Sequence, residues 1–185
     1  MHRVGCPPGG WGRLWSVVLL AMVIAGCGTV GPGASEAPSS LLTPDPVAHP
    51  AITDELRAEL VMIRDAVDKG RDREAATADG YRQAQGCVIG AGSHWMNREL
   101  VDDPELDLLT PEVLMYDGSG ELVGIEYFVY ASQVPRPDLL GRSMDGPFTV
   151  RGVLSEPIWW RHVWLYRESP AGVFSMTNVN VSCSP

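Results

Sequence analysis

Pro157-Ile158-Trp159-Trp160-Arg161-His162-Val163-Trp164-Leu165-Tyr166 is the densest aromatic and β-branched run of this 185-residue chain. Residues of these types suit a pleated, half-buried surface, so the run reads as a strand. With a period of two, Ile158, Trp160, His162, Trp164 and Tyr166 point one way, and Trp159, Arg161, Val163, Leu165 and Arg167 point the other. The first face is aromatic with one imidazole. It must line a core or a pocket, and the rest of the chain must supply the sheet around it.

A second strongly apolar stretch, residues 122–131, together with 112–116 flanks Asp117-Gly118-Ser119-Gly120 and reads as a hairpin. Its second strand is apolar on both faces and is therefore expected to be central. One face carries Leu122, Phe128 and Tyr130, and the other Val123, Ile125, Tyr127 and Val129. Glu126 falls on the first face, where a bare carboxylate costs several kcal/mol unless it is paired, ligated or protonated. A two- or four-residue loop pairs Glu112 with Ile125. A three-residue loop with Gly120 left-handed pairs Glu112 with Glu126, and the sequence allows both.

Before the hairpin, Thr53 is a candidate N-cap, with Asp54 and Glu55 suited to a helix start. Leu56, Leu60, Ile63 and Val67 form one apolar stripe. A second helix is expected over residues 71–85, with Gly70 between the two. Residues 86–92 (GCVIGAG) read as turns leading to His94, a loop residue or a ligand. Gly90-Ala91-Gly92 lacks the third glycine of a dinucleotide site, and Ser93 is outside a nucleophile elbow. Asp102, Asp103, Glu105 and Asp107 lack EF-hand spacing. Further on, 134–147 reads as a flap, and 148–154 and 173–183 as strands. The expected fold is α+β, with N-terminal helices packed on a curved antiparallel β-sheet or partly closed barrel of five to seven strands.

At the N-terminus, Arg3 and Arg13 precede the apolar run 14–24 (LWSVVLLAMVI), too short to span a bilayer and typical of a secretory signal. Ile24-Ala25-Gly26-Cys27 resembles the lipobox of bacterial lipoproteins. That resemblance implies cleavage after residue 26, lipidation of Cys27 and acylation of the new amino terminus, a durable anchor on the cell membrane. Residues 27–50, rich in Pro, Gly, Ser and Ala, read as a disordered tether reaching roughly 25 Å. Residues 51–185 then form a single domain.

The formal net charge is −9 before two arginines leave with the signal. An acidic surface argues against nucleic acid as a partner and against docking on anionic lipid. With Cys6 removed and Cys27 lipidated, Cys87 and Cys183 remain as a pair outside the reducing cytoplasm, and a disulfide is expected.

His94-x-x-Asn97, Pro111-Glu112-x-Leu114-x-Tyr116, Glu126-Tyr127, His162-Val163-Trp164-Leu165 and the closing Ser169-Pro170-Ala171-Gly172-Val173-Phe174 together resemble a group of uncharacterised secreted bacterial proteins, over residues 75–183. The resemblance implies secretion and carries no activity. The His-x-His of a cupin and the His-Glu-x-x-His of a zincin are both missing.

The functional expectation is a membrane-anchored, extracytoplasmic lipoprotein that binds a small ligand or a divalent transition metal. His94, Glu112, Glu126 and His162 are the candidate metal or polar ligands. Convergence of these groups within about 5 Å would mark ligation, and dispersal would exclude it. Trp95, Phe128, Tyr130, Trp160, Trp164 and Tyr166 are the candidate pocket lining. The alternatives are an envelope protein-interaction module without a small-molecule site and a His/Glu metal-dependent enzyme. Catalysis is the least supported, because no nucleophile–base pair stands at a recognisable spacing. In a bacterial host the full chain should incorporate labelled palmitate and sediment with membranes, and Cys27→Ser should abolish both. Undiminished labelling of the variant would refute the anchor.

Overall fold

The computed structural model describes residues 45–48 and 51–185. The expected signal peptide, the lipobox-like residues with Cys27 and most of the expected tether lie outside the described residues. Within residues 45–48, read from composition as tether, Pro46 and Val47 are buried instead. Pro46–Ala48 form a 3-10 turn with Val47 2% exposed. The Arg57 guanidinium donates to the Val47 carbonyl, and Arg64 meets Asp45 at 2.9 Å.

Helix α1 (Asp54–Val67) starts at Thr53, whose side chain accepts a hydrogen bond from the Leu56 amide. Its apolar stripe buries Leu60, Ile63 and Val67. The chain then tightens into a 3-10 turn, Asp68–Arg71, whose Gly70 fits beneath Leu114. A Cβ there would lie 2.9 Å from the leucine methyl. Helix α2 is only Arg73–Ala78. Gly80, at φ +96°, ends it, and residues 81–88 form a strand where a helix to residue 85 and then turns were expected. Tyr81 opens that strand by packing inward while its hydroxyl donates to the Pro111 carbonyl.

The strands are β1 (Tyr81–Val88), β2 (Gly92–Asn97), β3 (Val113–Tyr116), β4 (Leu122–Tyr130), β5 (Asp138–Leu139), β6 (Arg142–Ser143), β7 (Asp145–Phe148) and β8 (Ile158–Val163). A short helix α3 (Arg98–Val101) follows β2. Six strands form one antiparallel sheet in the order β1-β2-β3-β4-β8-β7, and β5 and β6 pair separately. The class is α+β with an antiparallel sheet. The sheet is open, however, and does not close into a barrel: β1 and β7 are its edges. β7 is four residues long and contains Pro147, which has no N–H to offer a further strand.

Strand β4 is buried along nearly its whole length and lies at the middle of the sheet. Its Ile125 and Tyr127 join Leu114, Tyr116, Val163 and helix residues Leu60 and Ile63 in one apolar cluster. Val123 and Phe128 join Met96, Val113, Met115, Ile158 and Trp164 in another on the opposite face, covered by Leu154 and Val181.

The hairpin has the three-residue loop, but its register past the loop gives neither expected pairing of Glu112. Gly120 is left-handed at φ +87° and Asp117 pairs with Glu121, which is the three-residue loop. A bulge between Met115 and Tyr116 then absorbs one residue of β4, so Val113, not Glu112, stands opposite Glu126. The same bulge moves Leu122 to the Ile125 side and Val123 to the Glu126 side.

Residues 148–154 and 173–183 are not strands, apart from Phe148 at the end of β7. The C-terminal segment runs through turns, with the Asn178 amide donating to the Gly90 carbonyl and the Gly90 amide to the Val181 carbonyl. Fully buried Asn178 also donates to the Arg167 carbonyl and accepts from the Asn180 amide, so its side chain competes with a ladder. The Cys87–Cys183 disulfide ties this segment to edge strand β1 across 96 residues. Loop-entropy arguments put that link at up to about 4.5 kcal/mol. The double variant Cys87→Ser/Cys183→Ser should lose about 3 kcal/mol or more in urea denaturation, and an unchanged midpoint would show that the link is dispensable.

Candidate metal centre

The pairing of β4 with β8 sets Glu126 directly opposite His162. Two strands away from β4, β2 presents His94 on the same face, one position offset, because His94 pairs with Met115 and Met96 with Val113. His94 is therefore a strand residue, not a loop residue. Its Nε2 lies 3.6 Å from Glu126 Oε2, and His162 Nε2 lies 3.9 Å from the same oxygen. One ligand atom from each of the three groups falls within 4.8 Å of the others, and all three side chains are nearly enclosed.

These separations are too long for hydrogen bonds. They match a different arrangement: two donors each about 2.1 Å from a tetrahedral ion are themselves about 3.4 Å apart. The 3.6 and 3.9 Å spacings are near that value, and the widest separation, within 4.8 Å, has to close toward it for all three groups to ligate one ion.

The orientation of the imidazoles fits the same arrangement. The Met176 carbonyl accepts from His162 Nδ1 at 2.8 Å, which puts the proton on Nδ1 and leaves the Nε2 lone pair facing Glu126. Trp160 and Trp164 stand edge-on to the His162 ring, at centroid distances of 4.5 and 5.5 Å, and fix its plane. His94 Nδ1 is buried with no hydrogen-bond partner of good geometry.

Burial dominates the electrostatics. It pushes His94 down to about 4 and His162 down to about 3, with His94 adding to the shift of His162. It pushes Glu126 up to about 8, with Glu112 adding to it. All three groups therefore favour their neutral forms at pH 7, and the contacts are not an ion pair.

Glu112 does not join this cluster. The bulge puts it out of step with Glu126, and its Oε2 accepts from the Phe128 amide at 3.1 Å. It is 1% exposed.

A pocket of about 330 Å³ lies over the cluster. Of the expected lining residues, Phe128 and Trp160 are in its wall. The other four are elsewhere. Trp95 faces the helices and packs on Tyr116. Tyr130 leans on Phe128 at the edge of the core. Trp164 is wholly buried and donates to the Ser175 carbonyl. Tyr166 lies past the end of β8, where alternation no longer holds, and donates to the Arg64 carbonyl. Met96 and Ile158, also in the wall, follow from the same two-residue alternation as His94 and Trp160. Leu154 and Met176 come from loops and have no such signal.

Burial pushes the Glu112 carboxyl up to about 8, against the pull of backbone hydrogen bonds including that from Phe128. An unfolded glutamate ionises near 4.5, so the native state keeps a proton that the unfolded chain releases. This group's contribution to stability therefore falls as pH rises from about 4.5 to about 8 and is level above that. Glu112→Gln should raise the denaturation midpoint relative to wild type at pH 8 and leave it unchanged near pH 4. An equal difference at both pH values would rule out a buried, protonated Glu112.

Compared with protein-family models, with curated proteins and with solved structures, the chain finds no match, so its chemistry has to be argued from the residues of the site.

Proposed function

We propose that this protein is a lipid-anchored, extracytoplasmic binding protein that holds a divalent transition metal through His94, Glu126 and His162, beside a small-ligand pocket. The observation that carries the reading is the convergence of three enclosed donor groups within 4.8 Å, at separations that allow no direct hydrogen bond. A merely structural His–Glu pair would close to about 2.8 Å. Two imidazoles and one carboxylate suit Zn, Fe, Mn or Ni and leave coordination positions free. A bound metal would hold Glu126 as a carboxylate, a form that burial in the central strand otherwise disfavours.

The address rests on Ile24-Ala25-Gly26-Cys27, and the Cys87–Cys183 link supports an oxidising compartment. Binding is favoured over turnover because the three donors are joined by no recognisable nucleophile–base pair. An envelope interaction module becomes the better description if the purified protein takes up no metal.

Calorimetry and elemental analysis of the mature protein should show one equivalent of Zn²⁺. His94→Ala, Glu126→Gln and His162→Ala should each weaken binding by more than about tenfold. Because both imidazoles are neutral and Glu126 is protonated in the metal-free protein, binding at pH 7 should release one proton. Affinity should then rise about tenfold per pH unit until pH reaches about 8. Glu126→Gln should remove that dependence. Unchanged metal content in the three variants would refute the site.

A further inference from the structure

Apart from the three donors, the pocket wall is almost wholly apolar. Among the described residues its other polar side-chain groups are Gln85, Thr177 and the Trp160 indole N–H, which is buried without a hydrogen-bond partner, and neither lysine nor arginine lines it. The deep part is formed by Met96, Phe128, Leu154, Ile158 and Trp160. Val88, Phe148 and Met176 stand at its mouth with exposures of 42, 44 and 56%. Large apolar side chains left in water around a concavity mark a binding site. A volume of about 330 Å³ is at the small end of small-molecule sites and suits a short acyl chain or a single ring system.

Charge decides the polar end of that ligand. A divalent ion held by one carboxylate and two neutral imidazoles leaves one uncompensated positive charge in an enclosed site. Such a charge is costly away from water, and the wall offers no second carboxylate to cancel it. A monoanionic oxygen donor cancels it and fills an open coordination position in one step. A cationic head would be repelled, and a dianion would overcompensate while bringing a strongly hydrated group into an apolar cleft.

We infer, on the metal reading given above, that the pocket takes a small apolar monoanion of the carboxylate class. Its head completes the coordination sphere of the metal held by His94, Glu126 and His162, and its body lies against Phe128, Leu154, Ile158 and Trp160.

The test uses the mature protein loaded with Co²⁺, whose visible spectrum reports its ligands, with octanoate as the probe. Octanoate should bind the loaded protein, shift the Co²⁺ bands, and bind the metal-free protein about tenfold or more weakly. Octylamine should leave the bands unchanged. Leu154→Trp fills the deep pocket and should weaken octanoate by more than about tenfold without altering metal stoichiometry. Val150→Trp, at a partly buried position of the same wall, serves where Leu154→Trp fails to fold. A protein that binds Co²⁺ but not octanoate overturns this inference and leaves the metal site standing. So does octanoate binding that ignores the metal or the pocket-filling variants. A protein that binds no metal overturns both.

Discussion

The burial of a carboxyl group at the middle of the central strand is the constraint on which the rest of this structure turns. Strand β4 is enclosed on both faces, and Glu126 sits in it with its side chain 10% exposed. Its neighbours have to supply a proton, a cation or a set of polar contacts. What they supply is two imidazoles held just out of hydrogen-bonding range, one from the adjacent strand and one from two strands away. Each imidazole is itself forced neutral by burial. Three uncharged donors thus face a common space with no unpaired charge among them.

One extra residue decides which carboxyl occupies that space. Without the bulge in β4, the three-residue loop would carry Glu112 into line with Glu126, and two acids would share a face. With it, Glu112 is out of step and takes the Phe128 amide as its partner. Gly124, next to the bulge, has the same importance for packing. A Cβ there would lie 2.7 Å from the Val163 carbonyl and 3.1 Å from the Trp164 ring, so only glycine lets β8 and its tryptophan approach.

The last eleven residues before the C-terminal dipeptide complete the site from the other side of the chain. They supply the Met176 carbonyl that fixes the tautomer of His162 and the Ser175 carbonyl that satisfies the Trp164 indole. The disulfide at Cys183 and the exchange of hydrogen bonds with Gly90 hold them against β1 and the β1–β2 turn. A covalent link at the rim of the sheet thus supports the orientation of a ring near its centre.

Much of this was legible in the residue order. Period-two alternation over 158–163 and 122–130, together with the unbroken apolarity of the second stretch, put His162 and Glu126 on enclosed strand faces, because strand side chains alternate whatever the partner is. Counting cysteines by compartment gave the disulfide. The sequence did not show that residues 81–88 are a strand, since Ala84 and Gly86 disfavour one and the pairing with β2 overrides that. Nor did it place His94 in the sheet, because the glycines before it look like loop. The bulge, the turns that replace a final strand and the loop residues closing the pocket all depend on groups far apart in the chain. Local chemistry determined which side chains must be hidden. Only the tertiary structure decided which of them meet, because strand register and loop position are set by packing across the sheet and not along it.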